Sequence, residues 1–336
     1  MPLPVLICDD SALARKQIAR SLPKDWDISI SFAEHGEHCL ESIQQGKGDI
    51  VFLDLNMPIM DGYQVLETIQ RTDLPSIVIV ISSDIQPQAH AKVKALGALE
   101  FIEKPINSEK LITILAQYGI YKAGIYHSHT LPKNHQSTEQ NSTIKDILQE
   151  LSNIAMGKTG NLLSRLLNAF ILLPIPKVES IQCSELNSEF AELCKDETVS
   201  VIHQGFISSG INGEAILLFH NSSFDDMSKL LKYENITGNN LHIEMMNDIA
   251  NILIGAFLNA IAEQLDIHFS QGQPSLLGQY GKINKITTNE KIAHSNILTI
   301  KVHYSIQEHD IKCDLLLMLT EDSLTVIKHK IGYLLE

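Results

Sequence analysis

The 336-residue sequence predicts two fold classes in one chain. Residues 1–120 read as a doubly wound α/β domain of the (βα)5 kind, and residues 143–336 as an α+β domain with a pseudo-two-fold internal repeat. Three observations carry this. Short apolar runs alternate five-fold with helix-periodic stretches near the N-terminus, a polar segment over 121–142 lacks any apolar period, and the remainder repeats itself at an offset of 98 residues.

In the first part the apolar runs are Val5 to Cys8, Asp49 to Leu55, Ser76 to Ile81 and Glu100 to Ile102, with a weaker strand, ISISF, after the first. SALARKQIARSL and DGYQVLETIQRT show the 3.6-residue period of amphipathic helices. Such βα alternation implies a parallel sheet covered on both faces, with its chemistry at the carboxyl ends of the strands. Asp9 and Asp10 close strand one, Asp54 closes strand three, Ser82 closes strand four, and Lys104 with Pro105 follows strand five. Three carboxylates in one crevice repel one another unless a divalent cation sits among them. Magnesium suits the set, because it binds few carboxylates, keeps waters and shares oxygens with a phosphoryl group.

These motifs, with FLDLNMPIMDG around Asp54, resemble the response-regulator receiver domain over about 120 residues. The resemblance implies that Asp9 and Asp10 hold Mg2+, joined by Asp54 and the backbone carbonyl of Asn56. It implies that Asp54 takes a phosphoryl group from a sensor histidine kinase of the CheA type. Ser82 would hydrogen-bond that group, Lys104 would pair with it, and Phe101 would occupy the aromatic switch position.

Residues 121–142, YKAGIYHSHTLPKNHQSTEQNS, read as a flexible linker whose histidines are too irregularly spaced to favour metal ligation. The net charge of -14 and the absence of a basic patch argue against nucleic-acid binding. The five cysteines are scattered with no Cys-x-x-Cys pair and read as small buried hydrophobes in a reducing compartment. No apolar run is expected to reach membrane-spanning length, and the N-terminus enters a strand directly, so a cytoplasmic location is expected.

In the second part VSVIHQGFISS, GEAILLFH, ILTIKVHYSI and IKCDLLLML have strand character, SGING forms a hairpin turn, and SFDDMSKLLKY and EDSLTVIKHKIGYLL read as helices. The stretch DILQELSNIAMGKTG ends in Gly-Lys-Thr, but Ser152 stands where a phosphate loop needs its first glycine and no strand precedes it. Lys158 and Thr159 are therefore expected as solvated helix positions. DILQELSNIAMGKTGN, from Asp146, aligns with EMMNDIANILIGAFLN, from Glu244. Glu150 meets Asp248, Asn153 meets Asn251, Gly157 meets Gly255, and Pro176 meets Pro274. In each helix the polar positions fall on one face at i, i+4, i+7 and i+11, while Leu148, Leu151 and Ala155, like Met246, Ile249 and Leu253, supply the core. Both stripes are expected to face outward.

Residues 143–336 resemble the CheC-type chemotaxis phosphatases, related to CheX and the flagellar switch phosphatase FliY, whose mark is Asp/Ser-x3-Glu-x2-Asn with Pro 22 residues later. Asp146, Glu150, Asn153 and Pro176 fit it in full, whereas Glu244 and Asp248 replace the first two positions in the second copy. The resemblance implies a phosphatase acting on a phosphorylated CheY-like receiver, with Glu150 and Asn153, and by repetition Asp248 and Asn251, as its working residues. A receiver-binding adaptor and a regulator that removes its own phosphate are alternatives that the residues leave open, as is a homodimer.

Overall fold

The computed structural model describes residues 2–121, 144–182, 185, 199–231, 239–279, 282–283, 296–306, 309 and 311–335. Contacts divide the chain into two compact units, residues 1–150 and 151–336. The linker expected over 121–142 lies outside the described residues except for Tyr121, which is part of the first unit. Its ring meets Trp26 edge-on at 6.0 Å and its hydroxyl donates to Asp25 at 2.7 Å. Cys8, Cys39 and Cys313 are buried free thiols; Cys183 and Cys194 lie outside the described residues.

The first unit runs β1 (Leu3–Cys8), α1 (Ala12–Ser21), β2 (Ile28–Ala33), α2 (Gly36–Gln44), β3 (Ile50–Leu53), α3 (Gly62–Thr72), β4 (Ile77–Ser82), α4 (Pro87–Ala95), β5 (Glu100–Glu103) and α5 (Ser108–Gln117). Its sheet has five parallel strands in the order β2-β1-β3-β4-β5. The strand residues point alternately into two apolar layers, Leu6, Val51 and Val80 on one side and Val5, Phe52 and Ile79 on the other. Local signals agree with this arrangement. Ser11 caps α1 by accepting the Ala14 N–H, Asp61 and Gln64 form a reciprocal box at the start of α3, and Asn107 caps α5. The strand order turns back between β1 and β3, which opens a crevice beside Asp9, Asp10 and Asp54. Gly62 keeps the loop after β3 close to α3: a Cβ there would overlap the Asp54 carbonyl oxygen and lie 2.8 Å from Leu55 Cα.

α6 (Ile144–Leu167) begins in the first unit, and its residues from Leu151 on belong to the second. There follow β6 (Ile171–Leu172), β7 (Lys177–Gln182), β8 (Val199–Ser208), β9 (Ile211–His220), α7 (Phe224–Leu230), α8 (Asn239–Leu265), β10 (Ser270–Gln271), β11 (Ser275–Gln279), β12 (Lys282–Ile283), β13 (Asn296–Ile306), β14 (Ile311–Thr320) and α9 (Glu321–Leu335). The pairings within this sheet are antiparallel, and they are reciprocal. β6 and β7 pair with β13, while β10 and β11 pair with β8, and β9 meets β14 in the middle. The two-residue strands β6, β10 and β12 are too short to show a period and were not anticipated. The hairpin at SGING is present, with Gly210 at φ +80° between β8 and β9.

Two expectations are corrected here. Thr159 is not solvated: it is buried and its hydroxyl donates to the Ala155 carbonyl, while Lys158 bridges to Glu263 on α8 at 2.7 Å. One apolar stretch does reach membrane-spanning length, His242–Leu265, with a mean hydropathy of 1.4. Met246, Ala250, Leu253 and Phe257 on it are buried, as in the core helix of a globular unit.

Asp314 on β14 lies between two histidines, 3.1 Å from His220 and 2.6 Å from His303. Burial pushes its carboxyl up, but the hydrogen bonds from His220 and then His303 outweigh this and hold it down at about 2. A depressed carboxyl contributes stability above its unfolded value, and the contribution is lost as pH falls from about 4 toward 2. In urea unfolding, wild type should exceed Asp314→Asn by about 2 kcal/mol near pH 5, and the difference should shrink to below about 0.5 kcal/mol near pH 2.

Candidate functional site

The carboxyl ends of β1, β3, β4 and β5 bring the predicted residues of the first unit into one crevice. The Lys104 ammonium lies 2.7 Å from Asp9 Oδ2, 3.5 Å from Asp54 Oδ1 and 3.4 Å from Glu150 Oε1. Lys104 is only 3% exposed and Glu150 3%. The Asp9 carboxylate also accepts the Ser11 N–H at 2.9 Å. Ser82 Oγ accepts the Asp84 N–H at 3.2 Å, an arrangement that leaves its own proton to donate into the crevice. Phe101 is buried with its ring 3.8 Å from that of His90.

Charge in the crevice is unbalanced, with one ammonium facing the carboxylates of Asp9, Asp10, Asp54 and Glu150. Burial would lower the Lys104 ammonium, but Asp54, Asp9 and Glu150 overcome it and hold Lys104 charged well above its ordinary value. Burial and then the charge of Asp9 push the Asp10 carboxyl up to about 7, against the pull of Lys104. Burial raises Asp54 well above its usual range, with Asp9, Asp10 and Glu150 adding to it against Lys104. Glu150 is raised for the same first reason, partly offset by Lys104.

This is an environment that a divalent cation would relieve. Asp9, Asp10 and Asp54 can offer oxygens that all lie within 4.8 Å of one another, and Asp10 Oδ1 is buried without a hydrogen-bond partner. The donor set is all oxygen, which suits a hard cation.

The two polar stripes of the second part differ. On α6, Glu150 and Asn153 are 3% and 2% exposed, and Asn153 Oδ1 has no hydrogen-bond partner. The outward orientation expected for this stripe is therefore incorrect, because Glu150 is drawn to Lys104 and to the Ser11 hydroxyl. On α8, Glu244, Asp248 and Asn251 are exposed as expected. Gly255 has no steric need to be glycine, since a Cβ would meet only Gln271 at an ordinary 3.6 Å.

Residues 5–116 match the response regulator receiver domain. They are a receiver. A protein-glutamate methylesterase/protein-glutamine glutaminase of Bacillus licheniformis is 36% identical over 107 residues, covering 31% of this chain and 30% of its own. A second such protein, from Koribacter versatilis, is 42% identical over 114 residues, covering 33% and 31%. The chain thus spans about a third of the length of these relatives. Among solved structures, Thermotoga maritima FliY matches 56% of this chain and 96% of its own at 16% identity and a TM-score of 0.45. The response regulator domain of Thermotoga maritima CheB matches 36% and 99% at 25% identity and a TM-score of 0.33.

Sequence reasoning passed over two groups that hold the receiver crevice together. Arg15 donates to the carbonyl oxygens of Asp9 and Asp10 at 2.7 and 3.2 Å and pairs with Glu34 at 2.9 Å, fixing the turn that presents both carboxylates. Its position on the buried face of α1 is legible, but its partners are not. Glu150 is expected from the resemblance as a phosphatase residue facing another protein's receiver, and nothing in its spacing identifies this chain's own Lys104 as its neighbour.

Asp10→Asn removes a ligand from the acidic cluster. It should weaken Mg2+ binding at least about tenfold in titration calorimetry, some 1.4 kcal/mol. Gly62→Ala should lower the melting temperature and Mg2+ affinity together, because backbone atoms of Asp54 and Leu55 must move to admit the methyl group; an unchanged affinity would show that the loop after β3 adjusts independently of the acidic cluster.

Proposed function

We propose that this chain is a response regulator of a chemotaxis-type two-component system, phosphorylated on Asp54 by a sensor histidine kinase, whose second half hydrolyses phosphoaspartate on a receiver of the CheY type. A receiver site bound to Mg2+ through Asp9, Asp10, Asp54 and the Asn56 carbonyl would have the charge of its phosphoryl oxygens neutralised by the ion. Ser82 donates a hydrogen bond to the phosphoryl group, and Lys104 pairs with it. Phe101, buried on β5, would serve as its aromatic switch.

Hydrolysis of an acyl phosphate then requires only a held water. The water oxygen forms a bond to phosphorus as the bond from phosphorus to the aspartyl oxygen breaks, and the water proton leaves with inorganic phosphate. Asn153 orients that water through its carboxamide, while Glu150 holds the receiver lysine and fixes the approach. Positioning of this kind accounts for about a hundredfold acceleration, or about 2.7 kcal/mol. The observation that carries the reading is the 3.4 Å approach of Glu150 to a receiver lysine, with the Asn153 carboxamide oxygen unpartnered one helical turn later.

A second reading, that of an adaptor, draws on the other copy. Asp248 is one methylene shorter than Glu150, and both Asp248 and Asn251 are exposed, as befits a face that docks a phosphorylated receiver without turning it over.

The test is the lifetime of radiolabelled phosphoaspartate, both on the full chain and on an added CheY-like receiver. Asn153→Ala is expected to lose about a hundredfold of the acceleration, and Asn251→Ala less. If neither lifetime changes in the double variant, the protein is not a phosphatase.

A further inference from the structure

Glu150 belongs to the first compact unit, and its ion pair with Lys104 places the motif carboxylate in this chain's own receiver crevice. Its Oε1 lies 3.4 Å from Lys104 Nζ, it accepts from the Ser11 hydroxyl, and its Oε2 is buried without a hydrogen-bond partner. Lys104 is the cation that also serves Asp9 and Asp54, so Glu150 is joined to the phosphoacceptor through a single ammonium group. A side chain 4% exposed and already paired with its own lysine is not offered to the lysine of another protein. The equivalent positions Asp248 and Asn251 are exposed.

Resting on the phosphatase reading above, we propose that the substrate of the Glu150 copy is the phosphate on Asp54 of the same chain. Glu150 is a positioning residue in this scheme. It holds Lys104 so that the phosphoryl group on Asp54 stays aligned for water, and the reaction returns the Asp54 carboxylate and inorganic phosphate, with the water proton carried off on the phosphate. Only 22 residues separate Tyr121 from Ile144. Because both motifs belong to one chain, their encounter is intramolecular and independent of protein concentration. The protein thereby times its own signal, and its phosphorylated lifetime is set within the molecule.

The experiment uses the full chain, labelled on Asp54 with a small-molecule phosphodonor, and follows loss of label over about a hundredfold range of protein concentration. Wild type should decay with a first-order rate independent of concentration. Glu150→Ala and Glu150→Gln should both slow it at least about tenfold, while Glu150→Asp should restore part of the rate, a pattern that a purely structural role does not produce. Addition of unlabelled Asp54→Asn chain, which carries an intact Glu150, should not rescue labelled Glu150→Ala. A rate that rises with concentration, or rescue by the added chain, overturns the proposal in favour of action between molecules. Accelerated decay of an added CheY-like receiver with an Asp54 lifetime indifferent to Glu150 would overturn it too while leaving the phosphatase reading intact. Loss of both activities' dependence on Asn153 and Glu150 would remove that reading as well.

Discussion

The Lys104 ammonium is the hinge of the chemistry in this protein. It is buried at 3% exposure, and a cation there persists only because carboxylates surround it, Asp9 at 2.7 Å, Glu150 at 3.4 Å and Asp54 at 3.5 Å. Burial and the same crowding leave the crevice with more negative charge than one lysine balances, which raises Asp10 and Asp54 and makes the crevice receptive to a divalent cation. Structure and proposed reactivity therefore have one origin. The doubly wound sheet brings the ends of β1, β3 and β5 together, and what converges there is an ionic cluster that is incomplete without added positive charge.

Around this cluster the receiver spends its local structure on precision. Arg15 ties down the carbonyls of Asp9 and Asp10, Ser11 both caps α1 and donates an N–H to Asp9, and Gly62 allows α3 to start against the backbone of Asp54. Each of these is a small residue choice whose effect is to hold an oxygen in place. The second unit follows a different logic, in which each half lends strands to the other. β7 pairs with β13 and β11 with β8, so neither half completes its part of the sheet alone. The two long helices, α6 and α8, differ in their polar faces.

That divergence is visible in the side chains. Glu150, the longer acid, is buried beside Lys104, whereas Asp248 on α8 is the shorter acid and is exposed. The two stripes therefore differ in burial as well as in the length of the acid.

By itself the sequence determined the parallel sheet of the receiver, because fully apolar runs such as IVFL and IVIVIS between amphipathic helices admit no other burial. It also determined which side chains stand at the strand ends, since Asp9, Asp10, Asp54, Ser82 and Lys104 are each fixed by a local strand boundary. The 98-residue repeat and the strands β8, β9, β13 and β14 were legible for the same reason, being long enough to show a period. The two-residue strands were not, and neither was the reciprocal pairing, which links residues from 63 to 135 positions apart. The partner of Glu150 belongs with these. Helical spacing places Glu150 on a polar face, but whether that face meets water or a lysine 46 positions upstream is decided by packing alone, because a carboxylate is stable in either setting and only the tertiary structure supplies the buried cation.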